Sequence, residues 1–228
     1  MIANIKNTQL LTDPWPHKIV DNMFDKNTLS KLVGAANKLS KYAEEGKSKS
    51  IWINQLSQFG VDDDVVEIIT NITNELLDNV SNLVDDFPYN TKSTSGYFAI
   101  PKFEVSGKHY QFPIHADSSN KTILFITYLD PQVQRGTLLY ASEDEKDFVR
   151  EVDWVPNRAF VMCPKNNDFN WHTWKNTLDS ARVTLNISCQ RLETLSELQL
   201  HLPEEDLATG SLWLYDQFGK DRLISNRI

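Results

Sequence analysis

The chain predicts an α+β fold, mainly β: a two-sheet jelly roll with N-terminal helices packed on one sheet. Three observations lead there. Two one-sided apolar stripes of helical period occupy the first part of the chain, about residues 14–95, beyond a short strand. From Gly96 onward come eight short runs rich in β-branched and aromatic residues, broken by turn residues, the spacing of a sandwich or barrel. The length of 228 residues, with 40 % hydrophobic and 11 % aromatic content, allows a sizeable core and excludes a mostly disordered chain.

In chain order, the turn-rich Asp13-Pro14-Trp15-Pro16-His17 leads into a short strand over Lys18–Asn22. Asn27 or Thr28 is expected to cap a helix whose stripe is Leu29, Leu32, Val33, Ala36 and Leu39. The polar, lysine-rich stretch Lys41–Ser50 reads as a solvated loop. A second helix starts near Asp62-Asp63-Asp64, carboxylates that suit a positive helix end, and buries Val65, Ile69, Ile72, Leu76, Val80 and Leu83.

The strands are expected at Tyr97–Val105, His109–His115, Thr122–Leu129, Thr137–Ala141, Phe148–Trp154, Arg158–Cys163, His172–Trp174 and Arg182–Gln190. The acidic run Glu143–Asp147 reads as an exposed hairpin tip. After this core, about residues 96–190, Leu192, Leu195, Leu198 and Leu202 have helical spacing, and Trp213, Tyr215 and Phe218 form a terminal flap. The whole of 1–228 is expected to be a single domain.

A net charge of −8 with no basic cluster argues against a nucleic-acid partner. Two cysteines, Cys163 and Cys189, are too few for a secreted disulfide framework and fall in apolar runs, where they read as small core residues. Neither a signal peptide nor a membrane span is legible, so a soluble, cytoplasmic protein is expected, with no membrane partner.

The chemistry centres on His115-Ala116-Asp117. Alternation along a strand points His115 and Asp117 the same way, so an imidazole and a carboxylate stand side by side. Five His and nineteen Asp supply about 0.4 such triplets by chance, so the triplet alone decides nothing. The conjunction decides more: His172 follows in another strand, and ten residues later Arg182 opens a strand. Two His and one carboxylate leave positions open on an octahedral ferrous ion, as in non-heme Fe(II) oxygenases. Arg182 offers a guanidinium fork for a dicarboxylate co-substrate. In the last strand Arg182, Thr184, Asn186 and Ser188 share one face, which suits a lumen holding a charged ligand, although a plain surface strand would look the same. Tyr128 is the polar handle of a strand otherwise buried on both faces, and a buried phenol needs a partner.

Together His115-x-Asp117, Tyr128-Leu129-Asp130, Arg135-Gly136-Thr137-Leu138 and His172 followed by Arg182 resemble the 2-oxoglutarate/Fe(II)-dependent dioxygenases, prolyl-hydroxylase-like branch. The opening Pro14–Asn22 followed by a helix is similar to the start of that branch's domains. The chain departs from the family at Arg135-Gly136, where many members carry two glycines, and at Asp130, where many carry Asn. The resemblance implies a double-stranded β-helix with Fe(2+) held by His115, Asp117 and His172. It implies 2-oxoglutarate bound through its distal carboxylate by Arg182 and Tyr128, with Thr184 as a further hydroxyl. Asn186 faces the same lumen and would orient a metal ligand or the co-substrate. The implied partners are O2 and a peptidyl (prolyl-like) or small-molecule substrate, released with succinate and CO2. A cupin-like protein that binds a metal or a small acid without turnover is the alternative, and an interaction module with a dead site is a third.

Overall fold

The computed structural model describes residues 1–88, 92–93, 96–118, 120–165, 169–191, 212–216 and 221–224, the last two stretches by their backbone. Three helices precede the main β region: α1 (Ile2–Asn7), α2 (Lys26–Leu39) and α3 (Asp63–Leu83). Between them lie β1 (His17–Val20) and β2 (Ser48–Trp52). The cap of α2 is Asp25, upstream of the expected Asn27 or Thr28. Its Oδ1 accepts from the Asn27 and Thr28 amides at 2.9 and 3.0 Å, which satisfies two otherwise orphaned helix donors. Asp62, Asp63 and Asp64 do begin α3. They also reach sideways, with Lys31–Asp64 at 2.6 Å and Lys38–Asp62 at 2.9 Å joining α2 to α3.

Helix α3 buries Val65, Ile69, Ile72, Thr73, Leu76, Leu77, Val80 and Leu83. These recur at three- and four-residue intervals, so one stripe of the helix meets the sheet. The strands that follow are β3 (Gly96–Ser106), β4 (Lys121–Asp130), β5 (Thr137–Tyr140), β6 (Phe148–Val152), β7 (Ala159–Met162), β8 (His172–Trp174) and β9 (Arg182–Arg191). A hairpin of β10 (Leu212–Asp216) and β11 (Asp221–Ile224) follows. It stands where a terminal flap is expected, while the expected helix over 192–202 and Phe218 lie outside the described residues.

All strand pairs are antiparallel and form two sheets. The larger runs β1-β7-β4-β9-β3. On the far edge of β3, β2 pairs with residues 102–106 and β10 with residues 96–99, and β11 lies outside β10. The smaller sheet runs β6-β5-β8. Beyond β8, single bridges join Gln111 to Lys175 and His115 to His172. The expected strand His109–His115 is reduced to these bridges. Pro113 has no amide to donate and His109 takes a left-handed turn conformation at φ 62, so a continuous ladder cannot form. The expected loop 41–50 is corrected too, because its end enters β2. Ser48-Lys-Ser-Ile-Trp52 carries little apolar signal, and its strand form comes from the free edge of β3.

The two faces of the larger sheet differ by residue parity. Ala99, Phe103 and Val105, Ile123, Phe125 and Leu129, and Val183, Leu185, Ile187 and Cys189 join the helices in one apolar core. Alternate residues, including Leu124, Ile126, Tyr128, Phe160 and Met162, pack on the other face with Leu139 and Val152 of the smaller sheet. Cys163 and Cys189 are free and fully buried, in keeping with their reading as small core residues. No helix among the described residues is long and apolar enough to cross a membrane.

Candidate metal centre

On the inner side of the larger sheet lies a cavity of about 290 Å³, and His115, Asp117 and His172 line it. The pairing of His115 with His172 is reciprocal: each amide donates to the other's carbonyl, at 3.0 and 2.9 Å. That bridge fixes the two imidazoles 4.3 Å apart between centroids. Asp117, two residues on from His115, brings its Oδ2 to 3.7 Å from the His172 Nε2. One ligand atom from each of the three residues falls within 4.8 Å of the others.

The tautomers are set from behind. The His172 Nδ1 meets the Asn170 carbonyl at 2.7 Å, and the His115 Nδ1 meets the Pro113 carbonyl at 3.1 Å. A carbonyl only accepts, so each Nδ1 carries the proton and each Nε2 presents a lone pair. Burial, which favours the neutral ring, lowers the pKa of both imidazoles; for His115, with His172 adding to the effect, it falls to about 4. Asp117 is 4 % exposed. Burial works against its charge, but Lys121, His172 and His115 outweigh it and hold its pKa at about 2. The Lys121 ammonium pairs with Oδ1. The buried Oδ2 accepts no hydrogen bond among the described residues. Two neutral imidazole nitrogens and one bare carboxylate oxygen therefore converge, a donor set that fits a divalent transition metal with positions left open.

The other expected site residues divide. Asn186 lines the same cavity, and its buried Oδ1 has no hydrogen-bond partner among the described residues. Arg182, Tyr128 and Thr184 lie buried on the same sheet, outside the cavity lining. The Arg182 guanidinium carbon is 5.0 Å from the Trp154 ring centroid and 5.8 Å from those of Tyr128 and Trp174. Trp174 itself lines the cavity, stacked at 4.2 Å on Phe112. Desolvation lowers the Arg182 pKa to about 10, which leaves it charged at neutral pH. Its Nε reaches the Arg135 carbonyl at 3.4 Å. The Tyr128 hydroxyl has the partner a buried phenol needs: it donates to the Thr137 Oγ1 at 2.8 Å and accepts from the Thr137 amide at 3.1 Å. The Thr184 Oγ1 is buried without a partner among the described residues.

Sequence reasoning missed Lys121, Ser50, Lys102 and Glu104, all of which line the cavity. For Lys102 and Glu104 a signal existed: two charged residues alternate within the otherwise apolar run Tyr97–Val105. For Lys121 there was none, because its contact with Asp117 depends on the turn between them. His17 and His109 do not line the cavity.

The chain has the fold of solved prolyl hydroxylases and of an alpha ketoglutarate dependent epimerase. A prolyl hydroxylase from Trichoplax adhaerens, in complex with a hypoxia inducible factor oxygen degradation domain peptide fragment, superposes with a TM-score of 0.53 at 13 % identity, covering 82 % of this chain and 87 % of that one. A Pseudomonas putida prolyl-4-hydroxylase gives 0.52 at 8 % identity, covering 83 % and 96 %. The epimerase SnoN in complex with Fe3+, alpha ketoglutarate and nogalamycin RO gives 0.51 at 9 % identity, covering 83 % and 81 %. No protein-family model matches the sequence, and no curated protein matches it.

Proposed function

We propose that this chain is a 2-oxoglutarate- and Fe(II)-dependent oxygenase that hydroxylates a peptidyl (prolyl-like) or small-molecule substrate, with release of succinate and CO2. The observation that carries the reading is the convergence of one ligand atom each from His115, Asp117 and His172, with the Asp117 Oδ2 accepting no hydrogen bond among the described residues and lying 3.7 Å from the His172 Nε2. The neighbours support it: two are prolyl hydroxylases, and SnoN is described with iron and alpha ketoglutarate. We also propose that the two sheets are those of a double-stranded β-helix. The strand order β7-β4-β9-β3 facing β6-β5-β8, with the 111–115 segment beside β8, supports that topology. A single domain over the whole chain is supported by one apolar core running from Ile5 to Cys189, and a cytoplasmic location by two free, buried cysteines.

When bound, the iron supplies oxidative decarboxylation of 2-oxoglutarate by O2 and the oxidising power for hydroxylation. The chain's part is orientation. His115, Asp117 and His172 would hold the metal on one side, their geometry fixed by the reciprocal backbone bridge and by the Pro113 and Asn170 carbonyls. Arg182 would pair with the distal carboxylate of the co-substrate, its charge held among aromatic faces. The Thr184 hydroxyl, without a partner among the described residues, would donate to the same group, and the Tyr128 hydroxyl would do so by turning its one proton away from the Thr137 Oγ1. Asn186 would orient the co-substrate or a metal ligand from the cavity side. Trp174 and Phe112 would exclude water from the reacting side.

One observation favours a second reading, a cupin-like protein that binds a metal or small acid without turnover: Arg182 does not line the cavity. A two-part assay separates the readings. The oxygenase binds 2-oxoglutarate in the presence of Fe(II), loses at least tenfold in affinity in Arg182→Ala, and releases succinate slowly without substrate, an activity absent from Asp117→Ala. A wild-type chain that binds the metal and retains 2-oxoglutarate yet makes no succinate establishes the second reading instead.

A further inference from the structure

We propose that Lys102 and Glu104 form a subsite for a free α-amino acid, presented to the metal centre from β3. The inference rests on the oxygenase reading for what happens to the ligand and names its class. Both residues lie on the inner face of one strand and line the cavity that holds His115, Asp117 and His172. The Lys102 Nζ is 3.2 Å from the Glu104 Oε2. Ser50 of β2 accepts from the Lys102 Nζ at 2.7 Å and donates to Glu104 at 2.8 Å, and Ser48 donates to the other carboxylate oxygen. The pair is thus held rigidly on two strands, as a recognition site requires.

Its position is hard to account for by stability. The Lys102 side chain keeps 31 % of its exposure against 10 % for Glu104, so solvent screens much of their attraction and the pair adds little to stability, and neither residue bonds to a proposed metal ligand among the described residues. A ligand carrying both signs of charge on neighbouring atoms matches the pair. The carboxylate of an α-amino acid can meet Lys102 while its ammonium, one carbon away, meets Glu104, so the two dipoles lie head to tail. Asn186 stands opposite Lys102 in the β3–β9 register, and its Oδ1, without a partner among the described residues, adds an acceptor for the same ammonium. Ile100, Leu124 and Ile126 supply an apolar wall for the side chain. The volume of about 290 Å³ lies at the small end of ligand pockets, which run from roughly 300 to 1,000 Å³. A residue inside a peptide carries neither backbone charge, so the subsite selects a free amino acid over a peptidyl substrate.

The test is calorimetry on the full chain with Fe(II) and 2-oxoglutarate in the absence of oxygen, using the twenty free L-amino acids and the N-acetyl amide of each that binds. At least one free amino acid is expected to bind, its capped form at least tenfold more weakly. Lys102→Met should lose at least tenfold in affinity and Lys102→Arg should recover most of it, with thermal unfolding confirming that both variants fold. No binding by any free amino acid, equal binding of capped forms, or unchanged binding in Lys102→Met overturns the subsite. Succinate release by the wild-type chain alone is read in parallel. Its absence overturns the oxygenase reading and leaves the binding result to judge the subsite by itself.

Discussion

At Asp117 two opposing effects meet, burial raising the cost of the charge and three neighbouring cationic or ionisable groups lowering it more. With a folded pKa of about 2 against an ordinary 3.8, the group contributes stability above the ordinary value and loses it as pH falls toward 2. The two imidazoles move the same way. Burial depresses both, His115 to about 4, so their lone pairs stay available below the ordinary histidine value. Two unperturbed histidines would cost a site roughly a hundredfold in metal affinity between pH 7.5 and 5.5, by proton competition. Here the loss over that range is expected to stay under tenfold, measured by titration of the chain with Co(II) or Fe(II). A hundredfold fall would show that the imidazoles titrate normally. Much of this site was legible. His115, Asp117 and His172 came from motif and spacing; the alternation argument presumed a strand, whereas only the single bridge of His115 to His172 forms and Asp117 lies in the irregular segment beyond it. Lys121 and the Pro113 and Asn170 carbonyls were not legible, since loops place them and loop conformation has no two-residue rule.

The helices and strands carry their own tests. Asp25 holds two amides and the Thr28 hydroxyl of α2, so Asp25→Ala is expected to lower the midpoint of urea unfolding, and an unchanged midpoint would show that the cap adds nothing. Leu76 is fully buried on the sheet-facing stripe of α3, and Leu76→Ala is expected to cost about 2–5 kcal/mol, depending on how far the cavity collapses. A Leu76→Ala chain as stable as wild type would mean that α3 does not pack as described. At this scale the sequence was informative where patterning is dense. Seven of the eight expected strands form within a few residues of their expected bounds, since β-branched and aromatic alternation reflects burial on one or both faces. It failed at β2, whose polar residues become a strand through pairing with β3, and at His109–His115, where Pro113 interrupts the ladder. Gly136 shows a constraint of another kind. A Cβ there would stand 1.6 Å from the Val152 carbonyl oxygen, so the close approach of β6 admits only glycine at this position, whatever stands at 135.

Across the whole molecule, helices on one face of the larger sheet leave its other face free to hold polar groups. The odd-numbered residues of β9 seal the core, while Arg182, Thr184, Asn186 and Ser188 alternate with them on the face away from the helices. Metal binding at the triad should therefore stabilise the entire fold by mass action, about 2.7 kcal/mol at a hundredfold excess over Kd. Thermal unfolding with and without metal should show that shift in the wild type and none in Asp117→Ala. The most direct measurement is a crystal structure of the chain grown without oxygen with Fe(II) and 2-oxoglutarate, the iron located by its anomalous scattering. The account predicts iron coordinated by the Nε2 atoms of His115 and His172 and by Asp117, with 2-oxoglutarate on open positions and its distal carboxylate on Arg182. Iron bound away from that triad, or a co-substrate that leaves Arg182 enclosed by Trp154 and Trp174, would contradict it.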